Sequence, residues 1–196
     1  MSSQRSSALR FREAGTHSAA QTRVINAALE LFARHGVNGT SLQMIADAIG
    51  VTKAAVYHQF QTKEEIVVAA VEAELSSLES ALNAAEADAQ SPAALEVLLT
   101  QVIDRAVERR RMVVTLLYDP VVVRLLAEER PFQQFMQRLY RILIANQKGA
   151  EARVRVAMAS SAIGGAVTHP LVAELDDDTL RSHLLHLTWT FLGLTD

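Results

Sequence analysis

The sequence predicts an all-α protein, with a small N-terminal head of short helices and a larger C-terminal helical body. Apolar residues recur at helical spacing, and no stretch offers several alternating, β-branched runs joined by hairpin turns. All four prolines lie beyond residue 91, and capping patterns mark the helix starts. These observations favour helices throughout the chain.

Capping patterns and the breakers between them predict the individual helices. A capping box, in which side chains bond the unpaired first-turn amides, is predicted at three positions, Ser18 with Gln21, Thr40 with Gln43, and Thr62 with Glu65. Ser91 before Pro92 and the acidic run Asp176 to Asp178 indicate two further starts. The predicted helices span 18–35, 41–48, 52–58, 63–89, 92–110, 112–128 with an interruption near Pro120, 131–147, 151–168 and 176–194.

The composition excludes several classes of protein. The chain has 196 residues and no cysteine, which excludes a disulfide framework, a thiolate nucleophile and a Cys-ligated metal site. No run approaches the roughly 18 apolar residues of a membrane helix, and no secretory signal is visible. His183 and His186 are spaced for one metal, but no third ligand is evident and a structural role is favoured. We therefore expect a soluble, cytoplasmic protein without metal or cofactor.

Charge divides the chain into two unequal parts. The net charge is −3, but it is unevenly distributed. Residues 1–63 contain seven Lys/Arg and three Asp/Glu, whereas residues 64–196 contain twelve Lys/Arg and nineteen Asp/Glu. The basic end is the candidate for contact with nucleic acid. We predict a flexible basic arm over 1–17, a head over 18–63 and a body over 64–196.

The second and third predicted helices form a helix-turn-helix pattern. Leu42, Ile45, Ala46 and Ile49 share one apolar face, and Gly50 can adopt the left-handed conformation of a tight turn. Such a unit places its second helix in the major groove of DNA. By spacing alone, an ordinary helical corner capped by glycine stays an equal alternative.

The third helix carries side chains that suit the edges of bases. Val51, Val56 (or Ala55) and Phe60 are predicted to face inward. The predicted outward set offers a cation, hydroxyls, an imidazole and a methyl group: Thr52, Lys53, Ala54, Tyr57 and His58. Thr40 and Ser41 at the start of helix 2, and Lys63 at the start of helix 4, are candidates for phosphate contacts.

The spacing of these residues resembles the N-terminal signature of the TetR family of bacterial transcriptional regulators. The resemblance covers about residues 20–66 and rests on Val24 to Phe32, Gly36, Thr40-Ser41, Ile45-Ala46, Ile49-Gly50-Val51, Val56-Tyr57, Phe60 and Lys63-Glu64-Glu65. It implies a homodimer that binds a palindromic operator and usually represses transcription until a small molecule enters the body. It also implies DNA contacts at Thr40, Ser41, Thr52, Lys53, Ala54, Tyr57, His58 and Lys63. Tyr57 and Lys63 correspond to backbone contacts, and Lys53 and His58 are the candidates for base contacts.

The last two predicted helices resemble the pair that forms the four-helix dimer interface of this family. One helix has small side chains that allow a partner helix to approach closely, at Ala157, Ser160, Ser161 and Gly164. The other has large apolar side chains at helical spacing, at Leu180, Leu184, Leu187 and Phe191. The alternative is that these residues form a core inside one protomer.

An effector pocket is predicted among the helices of residues 92–147 and under the eighth. Its candidate residues are apolar or aromatic: Met112, Leu116, Tyr118, Phe132, Met136, Tyr140 and Trp189. Side chains of this kind more often simply pack in a core. They favour an apolar or amphipathic effector. The run Arg109 to Arg111 offers an anion site or, more commonly, a solvated helix end.

Two other functions stay open at this point. A DNA-binding regulator without an effector fits the same sequence. A helical enzyme fits poorly, because the sequence has no nucleophile elbow, phosphate-binding glycine loop or HExxH motif. If an effector exists, its signal must pass through helix 63–89, which joins head and body.

Overall fold

The computed structural model describes residues 17–88, 91–110, 112–113, 118–144 and 149–194. The described residues contain no strand. The helices are α1 Ala19–Gly39, α2 Leu42–Ala48, α3 Lys53–Gln59, α4 Lys63–Ala87, α5 Pro92–Glu108, α6 Pro120–Glu128, α7 Arg130–Ile144, α8 Gly149–Ala166 and α9 Asp177–Leu192, with a 3₁₀ turn at Pro170–Val172. The predicted all-α fold is confirmed, and most helix ends differ from the prediction by a few residues. Of the predicted helix 112–128, the part after the interruption is α6, and residues 114–117 lie outside the described residues.

Most of the predicted helix starts are confirmed by the side chains that cap them. Ser18 and Gln21 form a complete capping box at α1. Ser91 caps α5 with Pro92 at its first position, and Asp176 caps α9. The hydrogen bonds from the backbone and side chain of Thr179 hold the pKa of Asp176 below its usual value. The N-cap carboxylate therefore stabilises α9 best in its ionised form.

Two of the three predicted capping boxes are wrong in detail. Thr62 caps α4 by accepting from the Glu65 amide, but the Glu65 carboxylate accepts from the Gln61 amide, one residue further back. At α2 the cap is Ser41, whose Oγ accepts from the Met44 amide. Thr40 instead donates its hydroxyl to the Gly36 carbonyl at 2.9 Å. It is therefore bonded to the end of α1 and not to the start of α2.

The first helix is broken at Gly36. The predicted end at residue 35 agrees with this break, since Gly36 has φ +70°, and the chain then makes one further helical turn to Gly39. A side chain is disfavoured at this angle. A β-carbon here would also lie 3.4 Å from Oδ2 of Asp119, which belongs to the start of α6.

We expect Gly36→Ala to lower the free energy of unfolding by about 1–2 kcal/mol, because a residue with a β-carbon is strained at this positive φ angle. Thermal or urea unfolding measures the loss. Gly165→Ala is the matched control, since a β-carbon there would meet nothing within 4 Å. An equal stability of Gly36→Ala and wild type would contradict the strained position.

Three apolar clusters hold the helices together. The first joins α1 to α4, with Ala28, Ile45, Val56 and Ile66 fully buried, and it extends to Val122 of α6. The second joins α4, α5, α7, α8 and α9, and the third joins α5 to α9. Apolar residues on both sides of position 63 share the first cluster. The domain boundary at that position stays a prediction.

An ion-pair network fixes the second half of α4 against α7. The Arg138 guanidinium donates to Glu79 at 2.5 Å, to Asn83 at 2.6 Å and to Glu86 at 2.8 Å. The hydrogen bonds from Arg138 hold the pKa of Glu86 below its usual value. Planar, multidentate contacts of this kind fix geometry as well as adding attraction. The part of α4 distant from the head is therefore attached to the body.

Candidate nucleic-acid interface

The second and third helices are joined by the short turn that the sequence predicted. Gly50 has φ +67°, and the Val51 amide donates back to the Ala46 carbonyl at 3.0 Å. Ile45 and Ala46 are fully buried, so α2 is held by its apolar face. The turn brings α3 across the end of α2 and closes the helix-turn-helix unit.

The third helix is attached to the head along one side only. Val56 is fully buried and Phe60 nearly so, while Val51 is half-buried. Ala55, the alternative to Val56 for the inward position, is exposed. The opposite side of α3 therefore faces solvent along the whole helix.

All five residues of the predicted outward set are exposed and lie on α3 or at its N-cap. Thr52 accepts from the Ala55 amide through its Oγ1 at 3.2 Å and so caps the helix. The Lys53 ammonium lies 5.6 Å from the centre of the Tyr57 ring. Such a cation–π contact costs little to break at an exposed site, about 0.5–1 kcal/mol. Lys53 can therefore leave the ring for a more favourable partner.

Ser41 and Lys63, two of the predicted phosphate contacts, lie at the first residues of α2 and α4. Ser41 is exposed at the N-cap of α2, where free amides favour an anion. The half-buried Lys63 ammonium donates to the Val37 carbonyl at 2.6 Å and lies 3.5 Å from the Asn38 carbonyl. An ammonium has three donors, so this bond leaves capacity for an anion.

Thr40 does not fit the contact predicted for it. It is only 2% exposed, and its hydroxyl is bonded to the end of α1. Its side chain is therefore not available to a phosphate, because the turn after Gly36 draws it into the head. The prediction from position alone is corrected here.

The structure adds one cation at this surface that the sequence did not single out. Arg23 of α1 donates from its guanidinium to the Ile49 carbonyl at 3.2 Å, next to the turn between α2 and α3. The apolar pattern of α1 carried no signal for this position, because it identifies only the buried face of a helix.

Comparison with known proteins agrees with this geometry. Residues 24–70 match the family described as bacterial regulatory proteins, tetR family. Among curated proteins, the HTH-type transcriptional regulator SrpR of Pseudomonas putida is 42% identical over 57 residues. Residues 24–70 therefore form a segment of the TetR-family type. The segment shared with SrpR covers 29% of this chain and 27% of SrpR, so the likeness to SrpR is confined to that segment.

The whole fold is also shared with solved structures of TetR-like regulators. A transcriptional regulator of the TetR/AcrR family from Thermobifida fusca is 26% identical with a TM-score of 0.55, covering 88% of this chain and 96% of its own. NalD of Pseudomonas aeruginosa is 24% identical with a TM-score of 0.65, covering 88% and 94%. The fatty acid degradation regulator FadR of Bacillus halodurans is 15% identical with a TM-score of 0.65, covering 89% and 96%. The described residues thus share the fold of these transcriptional regulators.

The residues predicted to line an effector pocket are spread over the body of the molecule. Met112 and Phe132 pack with the first cluster, whereas Met136, Tyr140 and Trp189 pack against the second. Tyr118 is 62% exposed, and Leu116 lies outside the described residues. Five of the seven residues thus pack with two different apolar clusters of the described part of the chain. Their part in effector binding stays a prediction.

A cavity of about 540 Å³ lies instead at the junction of head and body. Its walls come from α1, the end of α5 and the start of α9: Asn26, Leu29, Glu30, Val107, Glu108, Arg109, Arg110, Met112 and Asp177. Arg109 forms an ion pair with Glu74 at 3.2 Å, and Arg110 forms one with Asp177. The predicted arginine run is thus partly engaged in ion pairs, and Arg111 lies outside the described residues.

The predicted dimer residues divide into an exposed and a buried group. Leu187 and Phe191 of α9 are 61% and 43% exposed, and Ala157 and Ser161 of α8 are also exposed. Ser160 and Gly164 are half-buried. Leu180 and Leu184 are buried in the third cluster, against Ile103 and Val107 of α5. Leu180 therefore belongs to the core of its own protomer, since its side of α9 faces α5.

Leu187 and Phe191 of the exposed group line an apolar groove on α8 and α9. The groove has a volume of about 360 Å³, and its lining is almost entirely apolar: Ala159, Ala162, Ile163, Ala166, Leu184, Leu187, Thr188, Thr190 and Phe191. Val154 and Met158 extend the exposed apolar surface along α8.

His183 and His186 are exposed on α9, and no group of potential metal ligands occurs among the described residues. None of the described helices has the length and apolar character needed to cross a membrane.

Proposed function

We propose that this chain is a TetR-family transcriptional repressor, which binds a palindromic operator as a homodimer and leaves it when a small-molecule effector binds. The observation that carries the proposal is the outward face of α3, five exposed polar or small residues on a helix held from behind by Val56. This face is narrow enough for a major groove and carries donors that match base edges.

The roles of the DNA-binding residues follow from their positions. Lys53 and His58 would meet base edges, and Thr52, Ala54 and Tyr57 would fit beside them or contact the backbone. Ser41 and the free amides of α2 would bind one phosphate. Lys63 would bind another without giving up its bond to the Val37 carbonyl.

A second copy of the chain is the proposed occupant of the groove on α8 and α9. Leu187 and Phe191 are large apolar residues that a monomer leaves in water, and small residues on α8 allow close approach of a partner helix. A two-fold axis through this face pairs the same surface of each copy. Two heads on one symmetric dimer match the two halves of a palindrome.

The effector proposal rests on the cavity at the junction. A ligand there would contact α1 of the head together with α5 and α9 of the body. Leu29, Val107 and Met112 offer apolar contacts and the paired arginines offer polar ones, which suits an amphipathic molecule. Such a ligand binds two geometries of the protein with different affinities, one that fits the operator and one that does not. The loss of DNA affinity cannot exceed the ratio of these two ligand affinities. We propose no catalytic activity for this site.

Selection of duplexes from a random-sequence pool tests the proposal. The wild-type protein is mixed with the pool at low ionic strength and the retained duplexes are sequenced. We expect a two-fold symmetric consensus, and reduced expression of a reporter gene whose promoter overlaps it. Recovery of no common sequence, or turnover of a substrate by the isolated protein, would contradict the proposal.

Lys63→Ala is expected to weaken binding to every duplex alike and to lower the salt slope by about one unit per protomer, as for a lost phosphate contact. The measurement is the dissociation constant on the selected palindrome and on unrelated duplexes at several salt concentrations. Because Lys63 also holds the Val37 carbonyl, thermal unfolding is measured in parallel, and Lys63→Arg serves as the control that keeps the cation. A salt slope equal to that of wild type would exclude the phosphate role.

A further inference from the structure

The peptide of Val37 connects three parts of the molecule. Val37 is fully buried in the turn that follows the break in α1. Its amide donates to Oδ2 of Asp119 in the body at 2.8 Å. Its carbonyl accepts from the Lys63 ammonium at the first residue of α4 at 2.6 Å. Both backbone polar groups of this residue are therefore bonded, and each bond leads to a different element.

Asp119 divides its two carboxylate oxygens between body and head. Oδ1 accepts from the amides of Val121 at 2.9 Å and Val122 at 3.4 Å, and so caps α6. Oδ2 accepts from the Val37 amide, 82 positions earlier in the sequence. Capping needs only one of these oxygens, and the second oxygen is used for a contact between two parts of the chain.

Packing alone would hold α6 near the head without fixing its direction. Val122 and Leu126 of α6 lie in the first cluster, where contacts are apolar and non-directional. A hydrogen bond from an amide to a carboxylate depends on angle as well as distance and is stronger than a bond between neutral groups. The bond between Asp119 and Val37 therefore selects one arrangement of α6 on the head.

The bonded peptide is directly connected to the DNA-binding helices. Thr40 donates to the Gly36 carbonyl at 2.9 Å, and Ser41 then caps α2. Only three residues separate Val37 from Ser41. Movement of the Val37 peptide would thus be passed to the start of α2, where the proposed phosphate contact lies.

We propose that Asp119 is a positioning residue for DNA binding, which holds the head in the orientation that fits the operator through its hydrogen bond to the Val37 amide. The proposal rests on the proposed function. Without the bond, the head samples several orientations, and the apparent dissociation constant rises by the inverse of the fraction that fits DNA.

Asp119→Ser separates the two uses of the carboxylate. Serine is as good an N-cap as aspartate, and Ser91 followed by Pro92 already caps α5 in this chain. A single short hydroxyl cannot serve both α6 and Val37. The control is Asp176→Ser, which removes the same charge at the cap of another body helix, where the carboxylate accepts from the amide and the hydroxyl of Thr179.

The test combines amide hydrogen exchange with DNA binding on full-length protein. In Asp119→Ser we expect exchange at the Val37 amide to accelerate about tenfold or more, while the Val122 amide stays protected. We expect the dissociation constant for the duplex selected by wild type to rise about tenfold, with an unchanged salt slope because no phosphate contact is lost. Asp176→Ser should match wild type in both measurements.

Three results would overturn the proposal. Slow exchange at Val37 in Asp119→Ser would show that Asp119 does not hold this peptide. Fast exchange with unchanged DNA affinity would show that the bond does not position the head. A weaker affinity with a lower salt slope would assign the loss to a phosphate contact and not to the orientation of the head. Failure of the wild type to retain any duplex would instead refute the proposed function, and the exchange measurement keeps the two failures apart.

Discussion

Leu187→Glu is expected to convert the proposed dimer into monomers and to reduce affinity for the palindrome by roughly 10²–10⁴-fold. Leu187 is 61% exposed in one protomer and lines the apolar groove on α8 and α9. A carboxylate there would be buried without a partner in each half of a symmetric interface, which costs several kcal/mol per ion. The second head would then no longer be delivered to the second half-site.

Sedimentation velocity and mobility shifts on the full palindrome and on one half-site measure this effect. The variant and wild type should bind the isolated half-site equally, because α3 is unchanged. Val97→Glu is the control, since Val97 is an apolar residue of α5 with a comparable exposure of 51% and lies outside the groove. A Leu187→Glu protein that sediments like wild type would place the dimer interface elsewhere.

Lys53→Ala is expected to remove discrimination between the selected palindrome and variants at one base pair per half-site, by about 1–3 kcal/mol per contact. Lys53 is exposed at the first residue of α3, and its only partner among the described residues is the Tyr57 ring at 5.6 Å. A bond to guanine would replace that weak contact on binding.

Competition binding with single-base variants of the palindrome measures this change. Lys53→Arg is the control, because arginine also reads guanine and keeps the charge. A uniform loss on every duplex would reassign Lys53 to the phosphate backbone.

The head could be predicted from the sequence because its signals are local. The glycine turn at Gly50 and the apolar face of α2 place α3, and the buried position of Val56 determines which of its residues face outward. The error at Thr40 has a physical cause. The break at Gly36 adds a turn to α1, and this turn moves the cap of α2 from Thr40 to Ser41.

The body was less predictable, because its contacts join residues far apart in the sequence. Periodicity identified the apolar residues of α9 but could not tell that Leu180 faces α5 while Leu187 faces solvent. For the same reason, periodicity could not show that the predicted pocket residues pack in two different apolar clusters. The bond from Asp119 to Val37 has no local pattern, since an N-cap aspartate before proline explains Asp119 fully without it.

We propose that α3 lies in the major groove of DNA and that a symmetric dimer presents two copies of it. The chain has no cysteine, so Ala54→Cys provides a single thiol at the exposed second residue of α3 that can carry a DNA-cleaving metal chelate. Glu96→Cys, exposed on α5, is the control. We expect the chelate at position 54 to cut the selected duplex at two places symmetric about its centre, and the chelate at position 96 to leave it intact. Uncut DNA with the chelate at position 54 in a stable complex would contradict the claim.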